Sequence, residues 1–312
     1  MLWHKIQGTK STGGASSFLG SRGVFVGGGQ DFKLQNISNS IEYITIATTG
    51  NASSFGTLPA GVVHSGGVSN GSRGVSASGQ NSSTPSWTSS INYVTIATTG
   101  NASSFGNATA ARATAGISNT TRGIFSHGYG TGQTNVNVID YITIATTGNA
   151  TDFGDAGVYT NYPGCAASET RGVLAGGSSN GGVQSNIIQY LTIDTTGNTS
   201  DFGDLTSVCA RASGLSDLSR GVFFYFKKID YVTIATTGNA SSFGNIYTGG
   251  AHDLTSEGVS DGTRGVIAGG WNDNSSALSS IIQYITIATT SNTTYFGDLS
   301  GVRSSAAGFS GS

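Results

Sequence analysis

Residues 139–149 read Ile139-Asp140-Tyr141-Ile142-Thr143-Ile144-Ala145-Thr146-Thr147-Gly148-Asn149. The pattern inside this stretch, Y-[IVL]-T-I-[AD]-T-T-[GS]-N, recurs six times, starting at Tyr43, Tyr93, Tyr141, Tyr190, Tyr231 and Tyr284. Side chains alternate along an extended strand, which puts Ile139, Tyr141, Thr143 and Ala145 on one face and Asp140, Ile142, Ile144 and Thr146 on the other. Both faces are partly apolar, so the strand is expected to be packed on both sides. β-branched Ile, Val and Thr suit a pleated, buried surface. Thr147-Gly148-Asn149 is turn chemistry, since Gly and Asn both tolerate positive φ, and it leads into a short strand over Ala150 to Asp155. Upstream, Ala113 to Ser118 and Arg122 to Ser126 form a second hairpin across Asn119, Thr120 and Thr121, which makes four strands per unit.

A second element keeps the same beat. R-G-[VI] stands at Arg22, Arg73, Arg122, Arg171, Arg220 and Arg264, in steps of 51, 49, 49, 49 and 44 residues. The short last step follows from a lost loop in unit five, between Gly221 and Ile229. Repeats of this length hide their apolar faces only against their neighbours. Six sheets of four antiparallel strands close radially into a propeller, which leaves only short, protected edges. The predicted fold is therefore all-β, a six-bladed propeller over residues 14–312, with blades near 14–60, 61–110, 111–158, 159–207, 208–248 and 249–312. Residues 1–13 form an N-terminal arm. Inner-strand sequences occur seven times for six blades, at Gly14 to Gly20 and again at Arg303 to Phe309. The C-terminal copy is expected to insert beside the Arg22 strand and fasten the ring; the reverse assignment uses Gly14 to Gly20 instead.

Strand, turn, strand, long loop, strand, turn, strand, with Gly-Gly after the second strand at Gly27-Gly28, Gly176-Gly177 and Gly269-Gly270, resembles the kelch repeat. The resemblance covers about residues 14 to 309. It departs from the kelch pattern where Phe55, Phe105, Phe153, Phe202, Phe243 and Phe296 stand in place of the usual Trp near the last strand.

Composition excludes several classes of function. Only 10% of residues are charged, against roughly 25% in ordinary soluble domains, and the net charge is −2. No Lys/Arg cluster offers a phosphate track for nucleic acid, and no 18-residue apolar run offers a membrane span. Met1-Leu2-Trp3-His4-Lys5 is too short and polar for a secretory signal. His4, His64, His127 and His252 lack metal-ligand spacing, and Cys165 and Cys209 form neither a C-x-x-C nor a disulfide framework. These cysteines are expected in neighbouring inner strands as small buried residues. Asp155, Asp204 and Asp298 recur with the repeat, as do the six arginines, which marks them as interblade or turn partners. No asymmetric catalytic constellation stands out, and neither an enzyme nor a cofactor is expected. The N-x-[ST] sequons at Asn51, Asn101, Asn149, Asn198, Asn239 and Asn292 follow from the T-G-N turn itself.

Differences between units point to binding. The loops between second and third strands carry Phe32, Trp87, Tyr129 and Trp271 amid polar residues such as Asn272 and Asp273. Such a mixture suits stacking on sugar rings and hydrogen bonding to hydroxyls. Loops on a rigid scaffold are the usual seat of specificity. T-I-A-T-T-G-N-A-S-S-F-G, verbatim in units one, two and five, together with R-G-V-[FIL]-x-G-G, looks like the kelch-like repeats of structural and tail-fibre-like proteins of tailed bacteriophages, marine ones especially. That resemblance implies a virion protein made in the host cytoplasm and present as a homo-oligomer. Trp3, His4 and Ile6 would dock on other virion proteins, and the loop face would attach non-catalytically to a host-surface glycan or protein. Two other readings stay open: a purely structural virion part such as a head decoration, fibre adaptor or tail nozzle component, and a polysaccharide depolymerase.

Overall fold

The structure is a computed structural model describing residues 19–31, 36–81, 86–130, 135–179, 182–247, 257–272 and 275–312. It is all-β, with six blades of mainly four antiparallel strands arranged as a propeller. Blade three shows the plan: Gly116–Ser118 innermost, then Arg122–Phe125, Val138–Thr143 and, outermost, Thr151–Asp155. The third strand is buried on both sides, with Ile139 and Asp140 on opposite faces both fully enclosed.

The ring closes as the sequence predicts. Ala307–Gly311 pairs antiparallel with Arg22–Val26, from Val26↔Ala307 to Arg22↔Gly311, and supplies the inner strand of blade one. Residues 14–18 and the arm, with Trp3, His4 and Ile6, lie outside the described residues. In blade five the lost loop is a tight turn, Tyr225 pairing directly with Lys228. One expectation is corrected: Cys165 is in the inner strand of blade four, but Cys209 ends that blade's long outer strand, Ser200–Cys209. The inner strand of blade five, Ser213–Ser216, begins only after it. The strand runs on because Cys209 pairs with Ser185 of the third strand and fills the apolar layer between blades four and five.

The core is six layers, each made by the facing sides of two neighbouring blades. Val24, Ile41, Phe55 and Phe309 of blade one, for example, pack with Val94 and Ile96 of blade two. The repeated words are what bind these layers. Arg73 lies 4.4 Å over the Tyr93 ring of its own blade, and its Nη1 donates to the Ile144 and Ala145 carbonyls of the next, at 3.1 and 2.8 Å. The same stack and donation recur around the ring and end where Arg264 reaches Ile46 and Ala47 of blade one. The sequon asparagines are interblade partners too. Asn101 Oδ1 accepts the Thr57 N–H of the preceding blade at 3.0 Å, and its five counterparts do likewise. The F-G glycine beside that bond has no room for a side chain, because a Cβ on Gly56 would overlap the Gly100 carbonyl of the neighbouring blade.

Candidate functional site

Alternating strand direction brings the loops after the second strands and the loops that lead into the inner strands to one face of the disc. The pairing of Val26 with Ala307, and the bonds Gly28 N to Val62 O, Gly79 N to Arg112 O and Gly270 N to Arg303 O, join these two sets of loops. The opposite face carries the exposed Thr-Thr-Gly-Asn turns.

Of the residues predicted for the loop face, Trp87 opens the long third strand of blade two, Trp87–Thr95. Tyr129 belongs to a two-stranded hairpin, Gly128–Tyr129 with Asn135–Val136, raised above blade three. The structure brings these two together, with ring centroids 5.7 Å apart and edge-to-face. Trp271 and Asn272 form the equivalent hairpin of blade six with Ala277–Leu278, with blade one between them and Trp87. All four are half-buried. Phe32 and Asp273 lie outside the described residues.

Sequence reasoning missed the axial mouth. Immediately before each inner strand one residue per blade faces the propeller axis, and here the repeat breaks down into unlike residues. His64, Tyr162, Arg211 and Glu257, from blades two, four, five and six, line a cavity of about 520 Å³ counted to its open rim, with Ser65 and Phe224. His64 and Tyr162 stack with centroids 4.7 Å apart, and the Arg211 guanidinium lies 4.9 Å from the Tyr162 ring centroid. Tyr129 reaches this cluster from above and helps burial raise the Tyr162 phenol, an effect that Arg211 opposes. His64, Tyr162 and Ser305 occupy equivalent positions and are all left-handed, with φ of 60°, 55° and 51°. That backbone region is uncommon for non-glycine residues and costs on the order of 1 kcal/mol or more each. It is held here by bonds between lead-in loops: His64 N to Ser305 O at 3.0 Å, Thr114 N to His64 O at 3.1 Å and Ala212 N to Tyr162 O at 3.1 Å.

Glu257 floors the cavity. Its Oε1 accepts the Gly116 N–H at 2.8 Å and its Oε2 accepts Gly67 N–H at 2.6 Å and Gly308 N–H at 3.3 Å, so one carboxyl from blade six ties the inner strands of blades one, two and three. Below it, the inner strands of all six blades line a second cavity along the axis, about 640 Å³ when its open ends are counted. Burial pushes Glu257 up to about 8 while the three N–H donors pull the other way. Burial pushes His64 and His127 down to about 3, with Arg211 and Arg112 adding to it.

A stability profile with a maximum near pH 6.5 follows. Each histidine stays neutral when folded but protonates below about 6.5 when unfolded, so its stabilisation is present above pH 6.5 and lost as pH falls toward 3. Glu257 runs the other way: its contribution is complete below about pH 4.5 and lost as pH rises toward 8. Each proton contributes a slope of at most about 1.4 kcal/mol per pH unit. Melting curves from pH 4 to 9 check this, and Glu257→Gln should flatten the alkaline limb, steepen the rise between about pH 4.5 and 6.5, and so move the maximum upward.

Chemically, the mouth offers hydrogen-bond donors without a nucleophile–base pair. The Cys165 thiol, further down the channel, is pushed well up by burial. Among the described residues no group of three or more His, Cys, Asp or Glu side chains is placed to hold a metal ion. His64 Nδ1, Ser65 Oγ and Arg211 Nε are buried with no partner. No protein-family model matches this sequence, and no curated protein is similar enough to count as a match.

Proposed function

We propose that this propeller is a non-catalytic recognition module that binds its target through the loop face, and that it serves as a receptor-binding or tail-fibre protein of a tailed-phage virion, attaching to a host-surface glycan. One observation carries the recognition reading. Eight large hydrophobic side chains are exposed among the described residues, and seven of them stand on the loop face. They are Val158 and Tyr159 between blades three and four, Val183 and Val208 in four, Phe226 in five, Tyr247 between five and six, and Val302 between six and one. A face that gathers nearly all the exposed large apolar side chains is the better candidate for an interaction surface than one that lacks them. The opposite face carries a near-identical turn in every blade, Thr-Thr-Gly-Asn in five and Thr-Thr-Ser-Asn in the sixth, beside short polar turns between inner and second strands, and none of these seven side chains. The Trp87–Tyr129 pair adds an aromatic ledge beside the axial mouth, suited to the apolar face of a sugar ring. The virion assignment is supported by the wording of the repeats alone.

Binding of the purified chain to intact candidate host bacteria tests the proposal. Trp87→Ala with Tyr129→Ala should keep a cooperative melt and weaken cell binding at least tenfold. Unchanged binding would overturn the loop-face reading, and saturable incorporation into particles without any cell binding would favour a purely structural virion part.

A further inference from the structure

We infer that the axial mouth is a subsite for one carboxylate-bearing sugar, a uronic-acid type of residue, gripped by Arg211 with His64, Ser65 and Tyr162 around the ring. This inference deepens the loop-face reading and rests on it for the identity of the ligand as a glycan.

Unmet hydrogen bonds point to an occupant. Buried polar atoms in folded proteins are almost always paired, yet His64 Nδ1, Ser65 Oγ and Arg211 Nε all lack a partner in residues that line the same cavity. His64 is only 8% exposed. Three unpaired polar groups in residues around one space mark a place built for a polar occupant, and because that space opens to solvent a ring can be gripped from its outer side.

The kind of donor selects the occupant. Arg211 makes no ion pair with any described residue, and its unpaired Nε belongs to the guanidinium edge that, with one Nη, donates two parallel bonds to a carboxylate. Arg211 is the one cationic side chain among the described residues lining the cavity, which matches a monoanion better than a phosphate dianion. Glu257, the acid lining the same cavity, has both oxygens committed to backbone N–H groups. His64 is kept neutral by burial, so with Ser65 it can serve ring hydroxyls as donor or acceptor. The Tyr162 and Phe224 rings supply apolar wall. The left-handed backbone at His64 and Tyr162 fixes both side chains at the mouth before any ligand arrives, which lowers the cost of binding.

Calorimetric titration of the full chain with sodium glucuronate, glucose and acetate tests this. Glucuronate should bind at least tenfold more tightly than glucose, which lacks the carboxylate, and than acetate, which lacks the ring. Arg211→Gln should weaken glucuronate at least tenfold. Ser65→Ala, a smaller change that keeps the Arg211–Tyr162 stack, should weaken glucuronate severalfold and leave acetate unchanged. Equal affinity for glucose and glucuronate, no glucuronate binding by folded wild type, or a folded Arg211→Gln protein that binds glucuronate normally would each overturn the inference. The two readings fail separately. Cell binding that is lost with Trp87→Ala but kept with Arg211→Gln sinks the subsite alone, whereas Arg211-dependent glucuronate binding by a protein that binds no cells sinks the loop-face reading alone.

Discussion

Removal of residues 307–312 is expected to abolish the cooperative unfolding transition. Those residues form the inner strand of blade one, and among the described residues Arg22–Val26 has no other strand partner on that side. Phe309 fills the layer between blades one and two, lying against Gly74 where a side chain would overlap its ring. Gly308 donates to Glu257 and Ser312 N to Gly71 O at 2.9 Å, so the same segment also ties blade one to blades six and two. Burying one Phe alone is worth about 1.5–3 kcal/mol, and a domain's whole margin is about 5–15 kcal/mol. Losing the strand also leaves two apolar blade faces and an unpaired edge in water, a template for aggregation. Scanning calorimetry of the truncated chain should show no two-state peak. A peak within a few degrees of wild type would mean that the ring does not depend on this closure.

The second large effect concerns a buried ion pair. Arg112 Nη1 lies 3.0 Å from Asp140 Oδ2 with both side chains fully enclosed, and Arg112 Nη2 also donates to Phe125 O at 3.3 Å. Thr109 adds its N–H and hydroxyl to the same carboxylate. Arg112→Ala leaves a charge buried with half its partners gone, and such breakages cost about 3–5 kcal/mol. Removing both charges with Arg112→Met and Asp140→Leu should recover most of that loss, since a buried pair is worth little more than well-packed apolar residues of similar size. Urea denaturation of the single and double variants measures both. The same device fastens blade one, where Arg303 Nη2 lies 2.5 Å from Glu42 Oε1, while in blade five Asp230 instead holds Thr206 and the Tyr225 hydroxyl.

These anchors show where sequence reading reaches and where it stops. The six tyrosines, the arginines and the T-G-N turns were legible because each solves the same local problem in every blade, and repetition made the solution visible. Even the closing strand was legible, as a seventh copy of a six-fold word. The residue just before each Tyr was not: Glu42, Asn92, Asp140, Gln189, Asp230 and Gln283 vary, and four of them, Glu42, Asp140, Gln189 and Asp230, bond unlike lead-in loops. Glu257 could not be found from its neighbours in the chain, since the groups that bind it lie 190, 141 and 51 residues away. His64 looked like a histidine without companions, and its companions, Tyr162 and Arg211, are supplied by other blades. The Trp87–Tyr129 contact likewise joins two loops that sequence reasoning could place on one face but not side by side. What breaks the repeat immediately ahead of each inner strand was the available signal for the mouth.

The most direct test of the account is hydroxyl-radical footprinting of the full chain, free and bound to surface polysaccharide extracted from a bacterium to which it attaches. Protection should fall on the loop face, at Trp87, Tyr129, Tyr159 and Tyr162, and leave the Thr-Thr-Gly-Asn turns as reactive as in the free protein. Protection of those turns with the loop face unchanged would contradict the assignment of recognition to the varied side of the disc.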